Sequence, residues 1–266
     1  MSSTRRCVAA TMLPVLCIAL LIGLAGGGAR AAGSASATDA GALVAAVIDQ
    51  TRASSSVGTF EMRVHRPDWE RASVLMAWTR GREDALIRFV EPARDAGNAT
   101  LKLGEQMWTF TPRLNRTIRL PFSLMSQSWA GSDFSYSDLS RSDQLLQFYE
   151  LTLGPDSAQD GHVVHTVIAT PLPDAPVVWG REELVIRDDY VLLSHTFFDQ
   201  EQIPLKRLET LAIGEFDGRV MPTRLRMTQL EEEAHYTELE YREIRFDVEL
   251  EDSRFTLFEL GRGGRK

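Results

Sequence analysis

Residues 87–140 read IRFVEPARDAGNATLKLGEQMWTFTPRLNRTIRLPFSLMSQSWAGSDFSYSDLS, and this stretch decides the fold. It opens on a strand-like piece with Ala85, Ile87 and Phe89 on one face, which Pro92 stops. A Gly97-Asn98 turn leads into two short strands, Thr100–Leu103 and Gln106–Thr111, joined at Gly104-Glu105. Pro112 ends the second, a turn at Arg113–Asn115 follows, and Arg116–Leu120 returns. Trp108 and Phe110 are two apart and leave one face of their strand. Beyond Pro121 the apolar residues Phe122, Leu124, Met125 and Trp129 follow neither the period of a strand nor that of a helix. An apolar loop needs an apolar surface beneath it, because loops otherwise run over the wetted exterior. The stretch predicts a loop closing over the greasy, concave face of a sheet.

The flanking sequence extends that sheet. Phe60, Met62 and Val64 alternate with Glu61, Arg63 and His65, and Val74, Met76 and Trp78 alternate in the next strand, as in a sheet dry on one side and wet on the other. Upstream, Thr38 or Asp39 caps a helix whose Leu43, Val44, Val47 and Ile48 recur at helical spacing. Downstream, Ser137 or Ser140 caps a helical segment with Leu145, Leu146, Phe148 and Tyr149 apolar, stopped by Gly154-Pro155. Strands follow at 162–170, 177–187, 190–198, 205–213, 219–229 and 234–250, joined by tight connections at Asp188-Asp189, Phe216–Gly218 and Glu231–Glu233. The expectation is a mainly β protein with about eleven antiparallel strands, two helices and no βαβ alternation. Such spacing implies a barrel or a strongly curved sheet. The tail, 261–266, reads as basic and frayed.

The first thirty-one residues read as a signal peptide: Arg5 and Arg6, an apolar run from Val8 to Leu24, and a small-residue cleavage site at Ala29-Arg30-Ala31. The rival reading is a retained single-span anchor. Residues 32–266 then form one domain. Both cysteines, Cys7 and Cys17, fall in the leader, so the exported chain has no disulfide, thiolate metal site or cysteine nucleophile. Without the leader, 26 basic residues stand against 37 acidic ones, a net charge of −11. That balance opposes nucleic-acid binding and adsorption onto an anionic membrane.

Trp108-Thr109-Phe110-Thr111-Pro112 resembles the W-F-Y-N-P strand of periplasmic lipoprotein carriers of the LolA type. Together with Phe89-x-x-Pro92 and Gly131-Ser132-Asp133-Phe134-Ser135-Tyr136, it is similar to the broader family of outer-membrane lipoprotein-sorting proteins. The resemblance implies a half-open β-barrel, LolA/LolB-like, whose helices cover an apolar cavity. It also implies a lid-holding role for Arg80, since Trp78-Thr79-Arg80 stands nearest the family's W-V-K-R-P strand end; Gly81 stands where the Pro would be.

An acyl chain carried through water needs a dry site, and burying it gains about 0.8 kcal/mol per methylene. Adaptable apolar walls suit capture and release. The expected lining is Phe60, Met62, Met76, Trp78, Ile87, Phe89, Trp108, Phe110, Met221 and Met227, with Met125 and Trp129 from the loop; each could equally be ordinary core. Asp133 and Tyr136 have two readings, a headgroup contact at the cavity mouth or an Asx-type turn before a helix. His162 and His165 point to opposite faces of a strand, and no nucleophile elbow, zincin or phosphate-loop motif is present. The sequence therefore reads as a non-enzyme without cofactor or metal. It is expected to be a periplasmic carrier for an acylated lipoprotein or lipid, with an inner-membrane transporter, an outer-membrane acceptor and transient membrane contact as partners. The alternative is a periplasmic accessory module of a transporter or envelope assembly. A hydrolase of envelope lipids is the third reading, and it would need a polar triad converging in the cavity.

Overall fold

The computed structural model describes residues 39–140, 144–232 and 234–262. The chain divides into two units, Met1–Ala37 and Thr38–Lys266. The first lies outside the described residues, and with it the leader, its cleavage site and both cysteines.

Asp39 starts α1 (Ala40–Arg52): its carboxylate accepts from Gly41 N at 3.0 Å, meeting one of the first turn's orphan donors. Six strands follow as successive hairpins: β1 (Ser55–Arg66), β2 (Trp69–Arg80), β3 (Asp84–Glu91), β4 (Ala99–Leu103), β5 (Gln106–Thr111) and β6 (Arg116–Arg119). Two short helices, α2 (Tyr136–Ser140) and α3 (Gln144–Phe148), come next. Then come β7 (Tyr149–Leu153), β8 (Ser157–Gln159), β9 (His162–Pro171), β10 (Arg181–Arg187) and β11 (Leu192–Phe198). The series closes with β12 (Pro204–Phe216), β13 (Arg219–Gln229), β14 (Tyr236–Phe246) and α4 (Leu257–Arg262). Asp217 and Gly218, with φ of 51° and 76°, make the turn between β12 and β13, where two residues of positive φ match the twist of the strands.

All fourteen strands belong to one sheet in the order β6-β5-β4-β3-β2-β1-β14-β13-β12-β11-β10-β9-β7, with β8 beside β9. Every pairing is antiparallel. β14 returns to pair with β1, and the end strands β6 and β7 do not pair, so the barrel stays half open.

Register assigns the faces, since directly paired residues point the same way. Phe60 faces Leu75 and Leu75 faces Phe89, on the side that α1 and the 129–139 segment cover. Trp78, Leu86, Leu101 and Trp108 pair in succession on the opposite side. There Phe255 and Leu260 bury against Leu86, Leu101 and Phe110. Glu259 is buried with them, 2.8 Å from Arg254 and 3.6 Å from Arg88. At this end the sheet is covered on both faces.

Several expectations change. The sheet has fourteen strands rather than eleven. Tyr149–Leu153 continues no helix: it pairs with β9, and its alternation of Tyr149, Leu151 and Leu153 is that of a strand. The last strand ends at Phe246, and the chain beyond it folds into α4 over the outer face. Ser135, not Ser137 or Ser140, caps α2: its N and Oγ donate to Asp138 at 2.6 and 2.7 Å while Asp138 N donates back at 3.2 Å, a reciprocal cap.

Candidate functional site: two neighbouring cavities

Between α1 and the inner face lies a cavity of about 320 Å3. Val44, Val47 and Ile48 come from the buried stripe of α1; Leu184, Leu208, Leu225, Met221 and Met227 come from inward positions of three strands. Tyr241 closes one side, and burial pushes its hydroxyl above the ordinary phenol range, so it stays neutral. Asp138 and His195 are among the few polar groups at this wall. A second cavity, about 600 Å3, opens between β6 and the two short helices. Arg119, Leu120, Pro121, Phe122 and Met125 line one side; Ser137, Ser140, Gln144, Gln147 and Phe148 line the other. The two cavities share α2 and α3 as a wall, since Leu139 and Leu145 look into the inner one.

Three buried polar ties hold that wall and the loop before it. Lys206 Nζ donates to Asp138 Oδ2 at 2.6 Å, joining β12 to α2, and lies over the rings of Phe197 and Trp179 at 4.9 and 5.2 Å. Glu182, fully buried on β10, accepts from Tyr149 Oη at 2.5 Å and lies 2.7 Å from His195 Nε2. Arg66 donates to both oxygens of Asp133 at 3.0 and 3.1 Å. Each strand of the first two ties shows a charged residue at an inward position, beside Leu208 for Lys206 and beside Leu184 for Glu182. A buried charge needs a partner. That misplaced charge in an apolar set is the signal by which the sequence could have revealed them, and the reading missed it.

No curated protein matches the chain. A family model described as "-like: Uncharacterized protein" matches residues 81–262. The chain belongs to that family. Among solved structures, a domain described as an outer membrane lipoprotein-sorting protein from Vibrio parahaemolyticus is similar at TM-score 0.72 and 21% identity, covering 82% of this chain and 97% of that one. A DUF1329 family protein from Desulfovibrio piger is similar at TM-score 0.75 and 21% identity, covering 84% and 100%. A LolA superfamily protein from Nitrosomonas europaea is similar at TM-score 0.71 and 20% identity, with the same coverage. The fold is LolA-like.

Within this fold the sequence-selected residues divide. Phe60, Met62, Ile87, Phe89, Trp129, Tyr136 and Met227 pack together on the inner face. Met221 and Met227 line the inner cavity, and Met125 lines the larger one. Met76, Trp78, Trp108 and Phe110 lie on the outer face instead; the last three pack with the α4 segment. Their assignment to the inner lining is corrected: a strand covered on both faces carries apolar residues on both, so alternation alone did not choose the side. Arg80 pairs with Asp84 at 2.7 Å and with Asp252, and lies 4.7 Å over Phe255, so it clamps the outer segment and touches neither lid helix. Asp133 forms a buried ion pair rather than an Asx turn. Ser132 makes the local turn, its Oγ donating to Trp129 O at 2.7 Å. A third cavity of about 310 Å3 gathers Phe89, Phe110, Trp129 and Tyr136, but Arg71, Asp95 and Asn98 make its wall polar.

His162, Asp188 and Asp189 converge at a hairpin as the described residues' group of metal-ligating type. Asp189 is bound by Arg187 at 2.5 and 2.9 Å, and that guanidinium opposes a cation. His165 pairs separately with Asp156 at 2.9 Å. His195 has Glu182 as its hydrogen-bond partner, and no serine, threonine or cysteine is bonded to it among the described residues.

Proposed function

We propose that the protein is an exported, periplasmic carrier that binds an acyl chain of a lipid or lipoprotein in the inner cavity and delivers it toward the outer membrane. The observation carrying this reading is the apolar cavity of about 320 Å3 left between α1 and the sheet, in the size range of small-molecule sites. A self-filled interior would instead favour the accessory module. The larger cavity on the other side of α2 and α3, lined by both polar and apolar side chains, suits the headgroup or peptide to which such a chain is attached. Flexible Met221 and Met227 and the short α2 and α3 suit a wall that adapts to a guest and lets it go. The leader reading, with its cleavage site near Ala31, supports export. A transporter that loads the carrier and an acceptor that unloads it are the partners this function requires.

The hydrolase reading is less well supported. Glu182 and His195 make an acid–imidazole pair, but its third member is Tyr149, which donates to Glu182 and is not activated by the histidine.

The test is capture of a fluorescent fatty acid in solution, with lipid extraction of protein purified from its native host. Leu225→Trp should occupy the cavity and weaken capture at least tenfold while leaving the melting temperature within a few degrees. Wild-type protein that neither carries lipid nor binds the probe would refute the reading.

A further inference from the structure

The acidic balance of the chain conceals one basic edge. From Gln106 to Ser132 there is no Asp or Glu, while Arg113, Arg116 and Arg119 all fall inside. All three arginines are exposed, and among the described residues none forms an ion pair. Many guanidiniums elsewhere are neutralised: those of Arg63, Arg80, Arg226 and Arg242 lie 2.8, 2.7, 2.5 and 2.5 Å from carboxylates. Large apolar side chains interleave with the free arginines. Leu114 at the hairpin turn is 71% exposed, Ile118 on β6 43%, and Phe122 just beyond it 65%.

β6 is an end strand of the sheet, and end strands are commonly guarded by charges against pairing with other chains. Guarding accounts for the arginines. It does not account for Leu114 and Phe122, which a merely solvated edge would have as polar residues. Arginines alternating with exposed leucine, isoleucine and phenylalanine fit the interfacial layer of a bilayer. There apolar groups enter the boundary between headgroups and acyl chains, and guanidiniums meet phosphates.

We infer that the β5–β6 hairpin and the Pro121-Phe122 segment form a docking surface for an anionic lipid bilayer. Its purpose rests on the carrier reading: Arg119 and Phe122 also line the larger cavity, so docking sets that cavity against the membrane. The surface itself is testable without cargo.

The experiment is sedimentation of the purified protein with vesicles of phosphatidylethanolamine and phosphatidylglycerol, mixed at roughly three to one, against vesicles of phosphatidylcholine alone. Binding is expected to the anionic vesicles and to fade in high salt. Arg113→Gln with Arg116→Gln should weaken it about 25-fold, at roughly fivefold per arginine. Leu114→Ser should weaken it several-fold. These three residues are exposed and line none of the cavities described, so fold and fatty-acid capture should be unchanged. Absence of binding to anionic vesicles, equal binding to phosphatidylcholine, or binding that survives both variants would overturn the inference. So would an acidic peptide captured at this edge in place of vesicles. Vesicle binding that persists in a protein unable to hold the fatty acid would remove the carrier reading and leave this surface standing; the reverse outcome removes the surface alone.

Discussion

Arg66 and Asp133, sixty-seven residues apart, form a two-pronged ion pair at the end of β1. Thr237 Oγ1, on β14, donates to the same carboxylate at 2.6 Å and accepts from Asp133 N at 3.0 Å. One side chain thus pins the loop over the sheet to two adjacent strands. Removing one partner of a buried pair leaves the other charge uncompensated, which costs about 3–5 kcal/mol. The Asp133 side chain is 3% exposed and that of Arg66 15%, so little solvent softens the loss. Asp133→Ala is therefore expected to lower unfolding stability by about 3 kcal/mol in urea titration. A loss under about 0.5 kcal/mol would show that the pair is screened like a surface one.

Trp108 and Phe110 are predicted to act as core. Phe110 is 3% exposed against Phe255 and Leu260, and replacing a buried Phe by Ala costs about 3–5 kcal/mol. Phe110→Ala and Trp108→Asp should both lower the melting temperature. The fraction that remains folded should bind the fatty-acid probe with unchanged affinity. Loss of probe affinity at full stability would return both residues to a ligand pocket.

How far the sequence could be read is visible in these same residues. Alternation placed Phe60 and Met62 on the face where they lie, because from Phe60 to Val64 β1 carries apolar residues on one side only. It failed at Trp78 and Trp108, where the 250–262 segment supplies a second dry face that no local pattern announces. The loop after Pro121 was legible as a cover at Trp129, which buries against Phe89 at 5.7 Å between ring centroids, but not at Phe122, which stays 65% exposed. Charge at inward positions marked Lys206 and Glu182, but their partners were illegible, since the fold alone brings α2 with Asp138 onto β12, and Tyr149 and His195 to Glu182.

Acid should weaken the fold partly through Glu61. The hydrogen bond from Arg242, helped by Arg63, holds its carboxyl below the ordinary carboxylate value, against the opposing effect of burial. A depressed folded-state value contributes stability that is complete above the unfolded value and lost as pH falls through the folded one. Wild-type stability should therefore decline from roughly pH 5 toward pH 3 more steeply than that of Glu61→Gln. Parallel acid limbs for the two proteins would show that the Arg242 contact makes no net contribution.

Lys206→Met tests how α2 is held shut. The substitution keeps an apolar stem against the Phe197 and Trp179 rings but removes the ammonium that meets Asp138 at 2.6 Å. The Asp138 carboxylate still accepts from Ser135 N and Oγ, so α2 keeps its cap and should remain helical. What is lost is the tie between the cavity wall and β12. Leaving the buried Asp138 carboxylate without its ammonium costs about 3–5 kcal/mol, and opening α2 relieves that cost by letting water reach it, so a bound fatty-acid probe should leave at least about tenfold faster in stopped-flow displacement. If α2 and α3 do not gate the cavity, the variant will instead lose global stability while probe release keeps its wild-type rate. Release rate and melting temperature measured on the same sample therefore separate a latch from a strut.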